Sequence, residues 1–433
     1  MVGKPSFTGE AALQPLAHVH LVNFSSFDMN LHHHLTGPES YHAAQLTLRS
    51  PMPFNPSHLD IAENDLLQYF RCIASRSLTT FTHDPVDLGN IILQLTLLND
   101  SPSATAVLRA LLALSSVHRD GLQSQAAGLK ISALKALIAA PKHDITAIEA
   151  AQHVAAGMLL CSFEIHRASC TSGQWMTYLL GAKRIIQASS LESSGEFGPL
   201  IDWVYYHDVL SRFSNLHWHS KIANPDSPSS ETSAETFSLL SPGMPSVEQT
   251  TLTLLSDICD AISTLSPEMM PPTDDDRDDH HTFLKTLVFR IRTISSAEIP
   301  PPGHSRRRTM TALFQCAMLV YLHRAASMDL LELAAETERR LHNAFATLAQ
   351  LDACERQFPL FILGCEARSD HERSIVLDLI TRTQEHAASR SLYLVRRMIE
   401  AIWIQDDLAK GPVNYTEKLS AVLSCCAILP TFV

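Results

Sequence analysis

The sequence predicts an all-α protein, a single large irregular helical bundle with long surface loops rich in Pro, Ser and Asp. Of its 433 residues, 45% are apolar but only 7% are aromatic. The chain is rich in Ala and Leu, which favours helices, because strands prefer β-branched and aromatic residues. Charged residues make up 18%, an ordinary share for a globular protein. A chain of this length can bury one large core.

Proline content and helical periodicity divide the chain into an arm, a helical domain and three loops. Residues 1–56 hold six prolines and show no sustained period, which predicts a partly ordered N-terminal arm. Helical spacing then covers residues 57–433, which we take as one domain. Within it, three stretches rich in Pro, Ser or Asp are predicted to be surface loops: residues 222–247, 266–281 and 299–308.

The clearest helical pattern lies between residues 104 and 188. Thr146 and Glu149 fit a capping box, in which each side chain satisfies a backbone amide that the helix start leaves unbonded. The helix that they open becomes apolar on every side over residues 154–161, so we expect neighbouring helices to surround it. Residues 369–372 form a second capping box. Further helical spacing marks three segments: residues 174–188, 200–213 and 389–407.

Charge and cysteine content favour an acidic protein of a reducing compartment, in the nucleus or the cytoplasm. The net charge of −12 argues against direct nucleic-acid binding, which needs clustered Lys and Arg. The best basic run, at 306–308, is interpreted as a solvated helix entry, with a short nuclear-import signal as the alternative. Nine cysteines with no CxxC pair indicate free thiols rather than a disulfide framework. The longest apolar run, 154–161, is far shorter than the roughly 20 residues of a membrane helix.

Motifs for the commoner chemistries are missing from the sequence. It contains no phosphate-binding GxxxxGK[ST] loop, no dinucleotide-binding GxGxxG, no GxSxG nucleophile elbow and no zinc-binding HExxH. The three histidines at 32–34 and the acidic run at 274–281 resemble metal ligands only superficially, because tetrahedral zinc and calcium loops need other spacings. We interpret both as solvated segments and predict neither a metal nor a cofactor.

The segment from Ile201 to His219 holds the densest group of polar and aromatic side chains in the chain. An imidazole beside a carboxylate there suggests a general acid–base pair, and the aromatic rings suggest the walls of a pocket. The alternative is a core helix whose Tyr and His tips are satisfied by buried hydrogen bonds. The catalytic candidates, which include two residues of an earlier helix, are Glu164, His166, Asp202, Tyr206, His207, Asp208 and His217. The pocket candidates are aromatic: Trp175, Tyr178, Trp203, Tyr206 and Trp218.

This same segment resembles the second type of fungal-specific transcription factor domain. The resemblance rests on Trp203 to Phe213, followed by His217 and Trp218. Six further segments resemble that domain in the same order: residues 110–119, 160–165, 175–182, 320–324, 359–367 and 402–406. The resemblance spans roughly residues 60–410, which is most of the chain.

The resemblance implies an all-helical regulatory domain that normally follows a DNA-binding cluster of six cysteines and two zinc ions. It also implies, for some members, a small apolar effector such as a sterol held inside the bundle. This sequence departs from the pattern because Cys72 is the only cysteine before Cys161. The six-cysteine cluster is therefore missing from it, which puts sequence-specific DNA binding in doubt.

Two functional hypotheses follow. The first is a regulator that acts without touching DNA, through a small apolar metabolite, a protein partner or a second copy of itself. The second is a cofactor-independent enzyme of fungal secondary metabolism, in which the same bundle promotes a cyclisation, isomerisation or dehydration. A preorganised apolar pocket with one acid–base group would suffice for that chemistry.

Overall fold

The described part of the chain is all-α, as predicted. The computed structural model describes residues 63–78, 80–81, 85–140, 145–167, 173–189, 191, 196–218, 247–263, 274–294, 305–326, 331–354, 356–387, 392–409, 411 and 413–433. These ranges hold fifteen α-helices, one short 3-10 helix at Ala74–Ser77 and no β-strand. The N-terminal arm at 1–56 and the three histidines at 32–34 lie outside them.

The helices fall into two groups along the chain. Six precede the segment with the family resemblance: α1 (Glu63–Cys72), α2 (Pro85–Leu97), α3 (Pro102–Asp120), α4 (Ser124–Ala139), α5 (Ala147–His166) and α6 (Gln174–Ala188). Helix α7 (Gly198–His217) holds that segment from Ile201 to His217. Eight follow: α8 (Val247–Ser263), α9 (Asp274–Thr293), α10 (Ser305–Ala325), α11 (Leu331–Gln350), α12 (Gln357–Cys365), α13 (Asp370–Ala387), α14 (Leu392–Leu408) and α15 (Tyr415–Ser424).

The first hydrophobic core forms around α5. This helix packs against α3 on one side and α6 on another, and α3 in turn packs against α4. All residues from Met158 to Glu164 are buried, which confirms the prediction of a surrounded helix. The capping box is also present, since the Glu149 amide donates to the Thr146 hydroxyl at 3.2 Å and the Thr146 amide donates to the Glu149 carboxylate at 2.9 Å.

The second core forms around α10, which contacts α8, α11 and α12. It is unusually aromatic. The Phe213 ring lies within 5.2 Å of the ring centroids of Tyr321, Phe358 and Phe432, in edge-to-face geometry with each. Phe81, from the segment between the 3-10 helix and α2, reaches into this core and lies edge-on to Phe314 at 4.6 Å.

The segment after α15 joins the two cores. Leu429 is buried in the first core, whereas Phe432 and Val433 are buried in the second. Phe432 has a φ of 55°, a left-handed conformation that an L residue adopts only when its surroundings hold it there. Its ring packs against Phe361, with ring centroids 4.7 Å apart, and this packing holds the backbone of Phe432 in that conformation.

Parts of two predicted loops are helical. Helix α9 begins at Asp274, so the acidic run at 274–281 is helical, and the prediction of a loop over 266–281 is wrong for that part. Acidic residues at a helix start are stabilised by the positive end of the helix dipole, which explains why this polar run folds. Helix α10 likewise begins at Ser305 and takes in 305–308 of the loop predicted at 299–308. Residues 222–246 lie outside the described residues, and Val247 begins α8.

The described cysteines form no disulfide with one another, and all but Cys72 are buried. Within the ranges given above, no group of three or more His, Cys, Asp or Glu side chains is placed to hold a metal ion. No described helix is both long and apolar enough to cross a membrane.

Candidate functional site

Helix α7 contributes buried residues to both cores, as the segment after α15 also does. Leu200, Trp203 and Val204 belong to the first core, and Val209 and Phe213, further along the same helix, belong to the second. Thirteen of its twenty residues are buried, several of them polar. The segment singled out from the sequence therefore lies where the two halves of the molecule meet.

His207 is a buried, neutral imidazole. Its Nδ1 lies 2.9 Å from the Trp203 carbonyl oxygen one turn earlier, so this nitrogen carries the proton and donates it to the carbonyl. The ring sits edge-on to the rings of Trp203 and Tyr206, at 6.0 and 5.9 Å. Burial lowers the pKa of His207 to about 4, and the bond to the Trp203 carbonyl offsets only part of that.

Asp208 is held by a buried ion pair rather than by the neighbouring imidazole. Its Oδ1 accepts a hydrogen bond from Lys183 Nζ of α6 at 2.6 Å, and both side chains are more than nine-tenths buried. Its Oδ2 lies 3.5 Å from Arg212 one turn later, and Arg212 donates to the Ser256 hydroxyl of α8 at 2.7 Å. This network fastens α7 to the helices on either side. Asp202 is also buried on α7.

Glu164 and His166 lie at the end of α5 and make structural contacts there. The fully buried Glu164 carboxylate accepts from Lys130 at 2.6 Å and from Arg167 at 3.0 Å. His166 Nδ1 lies 2.9 Å from the Ser162 carbonyl oxygen, the same arrangement as in His207. Its ring centroid is 5.4 Å from that of His118, so the pair joins α5 to α3.

His217 ends α7 in a buried relay of three side chains. Its Nε2 lies 2.6 Å from the Tyr321 hydroxyl of α10, and its Nδ1 lies 3.1 Å from the Ser420 hydroxyl of α15. Burial raises the pKa of Tyr321 well above its usual value, so the phenol keeps its proton. The relay ties three helices of the second core together.

Two of the predicted pocket aromatics bind the C-terminal segment. The Trp175 indole Nε1 donates to the Leu429 carbonyl at 3.2 Å, and the Trp218 indole Nε1 donates to the Cys426 carbonyl at 3.3 Å. Tyr178 is half-buried and lies under Lys130, whose Nζ is 5.7 Å from the ring centroid. Burial raises the pKa of Tyr178.

Trp203 and Tyr206 differ from the other candidates in their polar atoms. Both side chains are fully buried, yet the Trp203 Nε1 and the Tyr206 Oη have no hydrogen-bond partner among the described residues. Burial raises the pKa of the Tyr206 hydroxyl, against a smaller opposite effect of the Arg356 charge, so it stays protonated. Buried donors without partners are uncommon, and each calls for a water molecule or another group to satisfy it. Trp203 stands one turn before His207 and Tyr206 directly before it, where the two cores meet.

Sequence reasoning missed the residues that hold these groups. Lys183 is the clearest case, because the sequence contains a pattern that indicates its burial. It shares a helical stripe with Leu179, Ala182 and Ile186, all buried in α6, so its position at a core-facing site predicts a buried partner. Tyr321 and Ser420 gave no such signal, because each lies more than a hundred residues from His217.

Comparison with known proteins agrees with the family resemblance seen in the sequence. The family model described as the fungal specific transcription factor domain matches residues 65–423. A protein named transcription factor iacI, from Pestalotiopsis fici (strain W106-1 / CGMCC3.15140), is 41% identical over 393 residues, which cover 88% of this chain and 98% of the relative. No solved structure matches the chain. The family match spans both cores and the whole of α7, and the chain belongs to the fungal-specific transcription factor domain family.

Proposed function

We propose that this chain regulates transcription in the nucleus by responding to a bound effector, and that its helical domain does not itself read DNA. The observation that carries this proposal is the course of α7 through both cores. A helix packed into two cores couples them, because well-packed interiors shift between discrete arrangements rather than deforming gradually. A group bound against α7 would therefore change how the two halves sit together.

The contacts of the acid–base candidates support regulation over catalysis. Glu164 and Asp208 each pair with a lysine at 2.6 Å, the His207 Nδ1–H donates to a backbone carbonyl, and both ring nitrogens of His217 are bonded within the fold. A general base must reach a substrate proton and exchange it near the working pH. His207, with a pKa near 4 and 3% exposure, meets neither condition.

The charge of the chain supports an indirect route to DNA. The net charge is −12, and much of the described arginine content is engaged in ion pairs with acidic side chains. Phosphate binding depends on clustered basic side chains that are free to replace counterions. We therefore infer that another chain, or another segment, supplies the contact with DNA.

The effector that best fits α7 is a small apolar molecule with one or two hydrogen-bonding groups. Trp203 and Tyr206 each offer the effector one hydrogen-bond donor. Both donors are buried, and no described residue accepts a hydrogen bond from either of them. An acceptor oxygen placed there would satisfy them, which gives both affinity and selectivity, since a buried unpaired donor costs free energy.

The test joins the full chain to an unrelated DNA-binding domain and measures a reporter gene in the source fungus. We expect the fusion to change reporter output, and Tyr206→Phe to alter that response while the folded structure is kept, because it removes one oxygen from a packed ring. Tyr205→Phe, the adjacent half-buried tyrosine, is the matched control and should keep the response. A fusion that leaves the reporter unchanged under all growth conditions would contradict the proposal.

A direct binding measurement separates the effector from the regulatory role. Native mass spectrometry of the chain, incubated with an extract of its own source, should retain a small molecule that Tyr206→Phe holds more weakly. If the molecule is chemically converted during the incubation, the chain is an enzyme and the proposal is wrong. Gel-shift assays with genomic DNA fragments should show no specific complex with the chain alone.

A further inference from the structure

Helix α9 lies at the periphery of the second core, with one face inward and one outward. Among the described helices, it packs mainly against α8 and α10. The inward face is apolar at helical spacing and at most 5% exposed: Leu284, Leu287, Val288 and Ile291. The opposite face points away from both neighbours.

The outward face of α9 carries two phenylalanines. Phe289 is 66% exposed and Phe283 is 44% exposed. The two side chains point about 120° apart around the helix axis and lie about 9 Å apart along it, so they form the two edges of an apolar patch. Phe283 lies three residues before the exposed Thr286, and Phe289 lies three residues after it. The two rings therefore flank Thr286 on the outward side of the helix. The patch is therefore symmetric about Thr286.

Charge is distributed unevenly along the same helix. The first six residues, 274–279, are five aspartates and one arginine. The remainder holds one lysine and two arginines, Lys285, Arg290 and Arg292, and no acid. The helix dipole favours acids at the start of a helix and bases at its end. Arg290 forms an ion pair with Asp257, and Arg292 forms one with Glu336. These contacts leave the arginine side chains 45% and 38% exposed, so both can meet further charges.

We propose that α9 forms a dimer interface with α9 of a second copy of this chain, the two helices running antiparallel about a two-fold axis at Thr286. In that arrangement Phe283 of each copy lies at the same height as Phe289 of the other, on the opposite edge of the contact, with the two Thr286 side chains between them. Asp279 at the acidic end of each copy faces Arg290 at the basic end of the other copy, so the charge pair occurs twice. A two-fold interface uses the same patch on both subunits, as this self-complementary helix provides. A parallel pairing would oppose acid to acid and base to base.

The interface has the anatomy of a small, reversible contact. Aromatic side chains lie on either side of its centre and charges lie towards its ends, as in interfaces with an apolar middle and a polar rim. A helix of twenty residues is about 30 Å long, so a single helix pair covers less than a standard interface of about 1,200–2,000 Å². We therefore expect a dissociation constant of roughly micromolar order. This inference goes beyond the proposed function and does not depend on it.

The first experiment measures self-association of the full chain by analytical ultracentrifugation over a concentration series. We expect a monomer–dimer equilibrium that Phe289→Asp weakens by about tenfold or more, as loss of an aromatic anchor does. Ile138→Asp, on the outer face of α4 and 71% exposed, makes the same change at a site outside the interface and should leave the equilibrium unchanged. Circular dichroism checks that both variants keep their helices.

The second experiment tests the antiparallel charge pairing. Asp279→Arg and Arg290→Asp should each weaken the homodimer several-fold, since each creates like charges at both ends of the interface. An equal mixture of the two variants should associate more tightly than either one alone, because every opposed pair is again of opposite sign. Exchange of isotopically labelled copies, read by native mass spectrometry, counts the mixed dimers.

Three results would overturn the inference. A wild-type chain that stays monomeric at every concentration would do so, as would equal effects of Phe289→Asp and Ile138→Asp. A mixture that shows no recovery would exclude the antiparallel pairing. If instead another part of the same chain covers Phe289, Phe289→Asp would lower stability without changing the association state, which also contradicts a dimer. Reporter activity enters none of these measurements, so they succeed or fail independently of the proposed function.

Discussion

Replacement of His207 by asparagine should change how the stability of this chain depends on pH. The asparagine amide can keep the hydrogen bond that Nδ1 donates to the Trp203 carbonyl, but it cannot take up a proton. The wild-type imidazole is buried between two uncharged rings, which disfavours its charged form. Protonation therefore occurs far more readily in the unfolded chain than in the folded one.

The magnitude follows from the two pKa values. The pKa of His207 falls from 6.5 in the free side chain to about 4 in the fold, so the unfolded state binds more protons between these values. The stability contribution is fully present above pH 6.5 and is lost as the pH falls towards 4. Each pKa unit is worth about 1.4 kcal/mol, which makes the total loss about 3 kcal/mol. About 2 kcal/mol of it falls between pH 7 and pH 5.

Urea unfolding at pH 7 and pH 5, followed by circular dichroism, measures the effect. His207→Asn is expected to be less stable than wild type at pH 7, because it packs less well, and to lose about 2 kcal/mol less between the two pH values. His342→Asn, on the exposed face of α11, is the control and should follow the wild-type profile. Equal losses for wild type and His207→Asn would refute the argument that a neutral buried imidazole sits in α7.

Three further substitutions test the packing around α7 and in the second core, each by the free energy of unfolding in urea. Asp208→Asn leaves Lys183 charged and buried without its carboxylate and should cost about 3–5 kcal/mol, of which a second change, Lys183→Met, should restore a part. Gly364→Ala would place a Cβ 2.7 Å from Ile399 Cδ1 and should cost about 1–3 kcal/mol, with partial recovery when Ile399→Val removes that atom. Phe432→Ala empties a fully buried aromatic site and should cost about 3–5 kcal/mol. Costs below about 1 kcal/mol at any of these sites would contradict the packing described here.

Local sequence signals predicted the helices well where they depended on local contacts. The capping boxes at Thr146 and Ser369 were readable because each forms within four residues of the chain. The start of α9 was missed for a related reason. A run of aspartates lowers helix propensity in isolation, and the prediction gave no weight to the favourable position of acids at the N-terminal end of a helix that Leu284 and Leu287 anchor to the core.

The candidate site was predictable in position but not in chemistry. The density of polar and aromatic residues pointed to α7, and the structure places α7 between the two cores. The suggested pairing of His207 with Asp208 was an inference from adjacency alone. Neighbours in a helix point about 100° apart, so His207 turns to the Trp203 carbonyl and Asp208 turns to Lys183 of α6.

The sequence by itself determined the all-α class, the family and the helix that matters most, because these depend on composition, periodicity and motifs that lie within short stretches. Only the tertiary structure decided which buried groups are partnered. Lys183 meets Asp208, and Tyr321 meets His217, across 25 and 104 residues of intervening chain. Likewise, Phe289 is exposed and Phe213 buried although each stands on a helix. The physical reason is that burial and pairing are properties of the folded surface around a residue, and distant segments supply that surface.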